Sequence, residues 1–316
     1  MLVKNVVSVD IGSSLIKLVQ LSQSGGKIRL EKVGVVDNPV SNFRTDGSGP
    51  GRNAIARAIR HSLKKSRIKA KDAVSSLAGP SIIIQYFKFP PLSAKELENA
   101  VSLEAQRVMG GKLNGMETDF QILPQNQKGA RAQEILFVAV PKQMVRQRME
   151  ILEQAGLNPI AIDIDCLALA NCFLRLKNLA PNEHVMVLDL GAELISLGIL
   201  GKDNLYFIRD ISLDLKAPLD FKETSMLGRA VMEIRRSIQY YEGRARGNKV
   251  TRVFLTGGSS VASEISDLFL KALEMPVEKW NALGDLEFDP GKLGYEFKES
   301  QGYLLAIAIG LALRGK

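Results

Sequence analysis

The chain is poor in the residues that most metal and redox chemistry needs. Among 316 residues it holds two cysteines, two histidines and one tryptophan. His61 and His184 stand far apart, which argues against a histidine-ligated metal and against a Ser-His-Asp triad. Cys166 and Cys172 lie six residues apart within an apolar helical pattern. That spacing suits neither a zinc site nor a CxxC redox pair, so both are expected as reduced core residues of a cytosolic protein. Long apolar runs are lacking too. The longest, Leu304 to Leu313, has ten residues, about half of what a bilayer requires. Asp10 interrupts the first apolar stretch too early for a signal peptide. The expectation is a cytoplasmic protein that does not anchor itself. Neither a Walker-A lysine pattern nor a GxGxxG after the first strand is present, which excludes the P-loop and Rossmann readings.

What is there suits a two-domain globular protein. The apolar fraction is 46%, the charged fraction 24% and the mean hydropathy +0.02, and the length allows two domains of roughly 100–200 residues. The formal charge is +8, and its distribution is uneven. Arg52, Arg57, Arg60, Lys64, Lys65, Arg67, Lys69 and Lys71 fall in one stretch without an acidic residue. Ala54, Ile55, Ala58, Ile59 and Leu63 make an apolar stripe opposite them, so the stretch is either a solvated helix face or a surface for anionic lipid or nucleic acid. No RNP-like, zinc-finger or helix-turn-helix pattern accompanies it, and no nucleic-acid partner is expected.

The chain opens with a β-rich run ending at Asp10, a turn Ile11-Gly12-Ser13-Ser14, and a second apolar run from Leu15. This pattern predicts a hairpin. Val185 to Leu200 repeats it. Without gaps the two segments match at seven of sixteen positions, among them Asp10/Asp189 and Gly12/Gly191, where chance gives about one. An internal duplication follows. Between the copies, strands are expected at 82–89, 117–123, 134–140 and 160–164. Helices are expected from the Ser93–Glu96 capping box, from Pro141 and after Ile164. The interdomain crossing is placed at 177–183. After the second copy come a helix from Met226, a strand at 252–255, the turn Thr256-Gly257-Gly258-Ser259-Ser260, and a closing apolar helix from about Tyr303.

Two Asp-x-Gly hairpins and a strand-Gly-Gly-helix turn, in this order, suit a nucleotide clamped between two domains. Hairpin tips offer backbone N–H groups to phosphate, and glycine lets the chain come close. Ser13 and Ser14 add hydroxyl donors and Lys17 a point charge. Asp10 and Asp189 are expected to hold Mg²⁺ through water. Gly191 belongs to the second phosphate turn, and Gly257, Gly258 and Ser259 would lie against an adenosine. Asp163 and Asp165 are candidate bases, or else caps of a strand-to-helix junction. A partner tail is expected to lie near Ile84, Tyr86 and Phe87 and the helix from Ser93, where an exposed edge strand would accept it by strand addition, or else these apolar residues pack the core around them.

These motifs resemble those of the actin-like ATPases. Within that superfamily the chain is similar, over nearly its whole length, to the family of type IV pilus assembly proteins called PilM. The similarity lies in Val9-Asp10-Ile11-Gly12-Ser13-Ser14, Leu152 to Pro159, Asp163-Ile164-Asp165, Glu233 to Ile238 and Ala306 to Arg314. It implies an α/β, ribonuclease H-like duplicated fold. Domain 1 would cover 1–180, with an inserted 1C-type subdomain at about 73–156, and domain 2 would cover 181–316. It implies ATP or ADP with Mg, at most a weak ATPase, and a cytoplasmic adaptor that grips the N-terminal tail of an inner-membrane, PilN-like partner. Contacts with other pilus-assembly components and self-association belong to the same expectation. Three departures stand out: Glu193 and Leu194 follow Ala192 where the family has threonines, Val108 to Lys112 replaces an aromatic-Ile-Pro-Phe segment, and the stretch from Ile211 to Met226 is short for a 2B subdomain. A small-molecule kinase and an FtsA-like cell-division scaffold are the alternative functions.

Overall fold

The computed structural model describes residues 6–40, 51–124, 132–212, 226–245, 248–293 and 298–314. The first half opens with strands β1 (Val6–Ile11), β2 (Leu15–Ser24) and β3 (Lys27–Asp37), followed by helix α1 (Arg52–Lys65) and strand β4 (Asp72–Leu77). An insert then contributes β5 (Ile83–Phe89), α2 (Ala94–Met109), β6 (Met116–Ile122) and β7 (Gln133–Pro141). Helix α3 (Lys142–Gln154), strand β8 (Asn158–Ile164) and helix α4 (Asp165–Leu176) complete this half. The second half holds β9 (His184–Leu190), β10 (Leu194–Gly201), β11 (Asn204–Ser212), α5 (Met226–Arg244), β12 (Arg252–Thr256), α6 (Ile265–Leu273), β13 (Val277–Lys279), β14 (Glu287–Phe288) and α7 (Ala306–Leu313).

The duplication is visible in the sheets. The first runs β14-β3-β2-β1-β4-β8 and the second β11-β10-β9-β12-β13. In each, the opening strand pairs antiparallel with the second and parallel with the fourth. The registers agree as well: Asp10 pairs with Lys17, and Asp189 pairs with Ser196. Both central strands, β1 and β9, are buried along their whole length, as parallel-paired strands covered on both faces must be.

Strand alternation then decides which face each side chain meets. Val7, Val9 and Ile11 point to the outer layer, where α1 and α3 supply Ile55, Ile59, Ile151 and Leu152. Met186, Leu188 and Leu190 point to the outer layer of the second sheet, under α5 and α6. Val6 and Val185 point inward, to one shared core. Asp10 and Asp189 have the parity of Val6 and Val185, so alternation turns both carboxylates towards the centre of the molecule.

That centre is a pair of crossing helices. The chain leaves the first sheet at the junction of β8 and α4, and α4 packs against β9, β10 and β11 of the second sheet. Helix α7 returns and packs against β1, β2 and α4. The approach of the two helices is close: a Cβ on Gly310 would lie 1.9 Å from the carbonyl oxygen of Ala168. Helix α4 leads from the first sheet towards the second, the segment 177–183 joins it to β9, and the closing helix crosses back.

The insert is a three-stranded antiparallel sheet of order β5-β7-β6. One face packs under α2 through Phe87, Leu97, Val101, Ile135 and Phe137. The Ser93–Glu96 capping box opens that helix as expected. The elements at the edges of the expected 73–156 insert, β4 and α3, sit in the layers of the first sheet. Among the described residues, no helix is long and apolar enough to cross a membrane. The short stretch between Ile211 and Met226 lies outside the described residues from 213 onward.

Candidate functional site: an acidic cleft and a neighbouring groove

The two Asp-x-Gly hairpins meet across a cleft of about 280 Å³. Asp10, Gly12, Ser13, Ser14, Lys17, Asp189, Gly191, Gly257, Gly258 and Ser259 all line it. The hairpin tips share one geometry. Gly12 N–H donates to Leu15 O at 2.9 Å, and Gly191 N–H donates to Leu194 O at 3.0 Å. A Cβ would lie 3.1 Å from that oxygen at position 12, a tight contact, and 2.8 Å from it at position 191, where the backbone would have to shift. Asn38 braces the first tip by donating Nδ2 to Gly12 O at 2.8 Å. Ser259 Oγ donates to Gly191 O at 3.3 Å, tying the third turn to the second.

The cleft's charges are unbalanced. Lys17 Nζ lies 2.7 Å from Asp10 Oδ2. Burial works against its ammonium, but Asp10, Asp189 and Asp165 outweigh it and hold the amine above its ordinary value. Asp165 and Glu193 also line the cleft, so four carboxylates face one lysine. Burial, helped by Asp10 and Asp210, pushes Asp189 up to about 7 against the pull of Lys17. Burial beside the same two neighbours pushes Asp165 up to about 7 as well. A polyanion entering such a cleft needs a cation with it. Among the described residues, no three His, Cys, Asp or Glu side chains stand close enough to hold a metal directly, so this donor set suits a hydrated divalent ion.

Two further charged residues complete the surroundings, and sequence reasoning missed both. Arg148 of α3 is 1% exposed and donates to Ser75 Oγ at 3.3 Å. Burial lowers its pKa to about 10, while the fields of Asp165 and Asp10 oppose that fall. The signal was present, since Arg148 falls in the buried stripe with Met144, Ile151 and Leu152. Asp210 accepts from Ser196 Oγ at 2.8 Å and from the backbone N–H of Gly79 at 3.2 Å. It thereby fastens β11 to the turn that leads into the insert.

The two candidate bases part company. Asp165 opens onto the cleft. Asp163, two residues earlier on β8, faces the other way and forms an ion pair with Arg314 at 2.5 Å. It lines a second cavity of about 520 Å³. This groove runs between β6 and β8, each the terminal strand of its sheet. Its lining is mainly apolar, with Val138, Val140, Val145, Met149 and Ile162 among the contributors and Glu117 and Asp119 at its edge.

Ile84, Tyr86 and Phe87 lie elsewhere. Phe87 is 6% exposed in the core under α2. Tyr86 Oη accepts from the backbone N–H of Ile208 at 2.7 Å, and its ring stacks on Phe207 at 5.8 Å. Ile84 packs against the shared core. Phe87 is thus engaged in the insert's own core, while Ile84 and Tyr86 are half-buried and also tie the insert to the shared core and to the second half. Strand β5, which carries them, is a terminal strand of its sheet, as are β6 and β8.

A five-strand order repeated twice, two facing Asp-x-Gly hairpins and a glycine loop closing the cleft define a protein of the actin-like ATPase fold. The profile of type IV pilus assembly protein PilM matches residues 8–214 and 224–316, and the chain belongs to that family. Among solved structures it is similar to a PilM–PilN type IV pilus biogenesis complex, at 25% identity and a TM-score of 0.82, covering 98% of each chain. It also shares its fold with the ethanolamine utilization protein EutJ from Carboxydothermus hydrogenoformans. There the identity is 14% and the TM-score 0.51, over 98% of this chain and 89% of the other.

Proposed function

We propose that this type IV pilus assembly protein is a cytoplasmic adaptor. It grips the N-terminal tail of a PilN-like inner-membrane protein in the groove between β6 and β8, and its cleft takes Mg-ATP or Mg-ADP. The observation that carries this reading is the groove itself. Two free strand edges, each seven residues long, flank about 520 Å³ of mainly apolar space. An extended peptide can add to a free edge through main-chain hydrogen bonds and place alternate side chains in such a lining. The similarity to a PilM–PilN complex supports a partner of that type.

In the cleft, Ser13, Ser14 and the backbone of the two hairpin tips would receive phosphates, with Lys17 moving from Asp10 to the anionic chain. Asp10 and Asp189 would hold the magnesium ion through its water shell. The cleft's 280 Å³ falls below the ~300–1,000 Å³ of most ligand pockets. It therefore fits a phosphate chain in this closed arrangement, and a whole nucleotide requires the halves to separate. Domain 1 over 1–180, which includes α4, and domain 2 over 181–316, which includes α7, are the bodies that would move.

The test is to place a photo-reactive group on a synthetic tail of the PilN-like partner and map its crosslinks on the full chain. Crosslinks at Phe120, Met149 and Ile160 are expected. Crosslinks confined to α2 or to the second half would overturn this placement.

A further inference from the structure

The stretch that holds the chain's whole excess of positive charge has a defined shape. Helix α1 turns Ile55, Ala56, Ile59 and Ser62 inward onto the first sheet. Arg57, Arg60, Lys64 and Lys65 are exposed on its outer side, and Arg67, Lys69 and Lys71 are exposed on the segment after it. Arg52 pairs with Glu150 at 2.6 Å. Arg57, Arg60, Lys64, Arg67, Lys69 and Lys71 form no ion pair among the described residues. A solvated helix of ordinary composition mixes signs along its face. Here six exposed cations follow one another between 57 and 71, and Glu150 of α3 is engaged by Arg52 rather than by any of them.

We propose that this face is a docking surface for an anionic phospholipid bilayer. Three observations choose the bilayer. First, the surface has the charge complement of an anionic leaflet, where each lysine or arginine near the headgroups adds to the attraction. Second, no Phe, Trp or Tyr lies between Phe43 and Tyr86, so the patch has no ring on which the bases of a single-stranded nucleic acid could stack. Third, α1 packs beside α3, and α3 gives Val145 and Met149 to the wall of the groove. The basic face is thus continuous with the layer that borders the groove. A bilayer against α1 and a peptide in the groove would approach the same side of the molecule.

The attraction is electrostatic and shallow. The helix has no exposed apolar face to insert, because its apolar stripe is already spent on the first sheet. Binding of the protein alone should therefore be reversible and steeply weakened by salt.

The experiment sediments the full chain with vesicles of phosphatidylcholine alone and with vesicles of phosphatidylcholine mixed with phosphatidylglycerol. No partner peptide is present, so the result stands apart from tail binding. Expected is binding to the mixed vesicles only, falling as salt rises. The triple variant Arg57→Gln, Arg60→Gln, Lys64→Gln should bind roughly a hundredfold more weakly with an unchanged circular dichroism melt. A control removing Lys95, Lys112 and Lys202, which are also exposed but lie off this face, should bind as wild type. Equal sedimentation with both vesicle types, or equal loss in the control, would overturn the proposal. So would tighter binding to a short DNA or RNA duplex than to the mixed vesicles at the same salt, which would assign the face to nucleic acid.

Discussion

Gly257 and Gly258 are neighbours with different constraints. Gly257 sits at φ 90°, and a Cβ there would lie 2.5 Å from the backbone nitrogen of Leu190, which cannot yield. Gly258 has room, because its added Cβ would meet only the Cδ2 of Leu304 at 3.3 Å, and it faces the cleft. Gly257→Ala should therefore destabilise the protein by about 3 kcal/mol, seen as a lower denaturant midpoint. Gly258→Val should fold as wild type and lose Mg-ATP binding in calorimetric titration; Asp10→Ala should lose the binding too, with some loss of stability because Lys17 is left without its partner. Wild-type affinity in Gly258→Val would remove this turn from the nucleotide site. At this scale the sequence is most legible. The cleft residues sit within a few positions of a glycine turn, and turn chemistry is local. The tie from Tyr86 to Ile208 and Phe207 is not legible in the sequence, because those partners are more than a hundred positions away and no local pattern reports them.

The element that most needs a particular residue is α7, at its contact with α4. Helix α7 is apolar on all sides, with every residue from Ala306 to Ala312 buried, so periodicity cannot show which side meets which neighbour. Gly310 decides it. The added methyl of Gly310→Ala would fall 1.9 Å from Ala168 O and 3.2 Å from Cys172 Cβ, and both helices would have to part. A loss of about 3 kcal/mol is expected, with a lower melting temperature as the readout. An unchanged melt would show that the helices slide freely. The same reasoning explains what else stayed hidden at this scale. Strand β4 reads as polar through Ser75 and Ser76, yet both are buried, and Ser75 Oγ donates to Val9 O at 2.5 Å. The groove is hidden for a related reason, since it is made of edges of β6 and β8, two strands some forty positions apart that belong to different sheets.

Across the whole molecule, the buried carboxylates set the response to pH. Asp165 and Asp189 are pushed up to about 7 and Asp210 to about 6, in each case by burial foremost. The folded state therefore holds these protons more tightly than the unfolded chain does. Their contribution to stability is fully present below the ordinary carboxylate range near pH 4 and is lost as pH rises through about 6 to 7. Without magnesium the melting temperature should fall between about pH 5 and pH 8, by several degrees for a loss of a few kcal/mol. Added Mg²⁺ should restore much of it at the upper end. A melt indifferent to both pH and magnesium would mean that the cleft carboxylates carry no such strain. The crossing of α4 and α7 reaches further, into how the protein is made. Helix α7 covers the inner face of the first sheet, so Val6, Val19 and Val74 stay uncovered on a nascent chain until residues 306–313 leave the ribosome. At ~5–20 residues per second that wait lasts tens of seconds. Through it the first half is an incomplete body whose apolar inner face stays open until α7 closes over it.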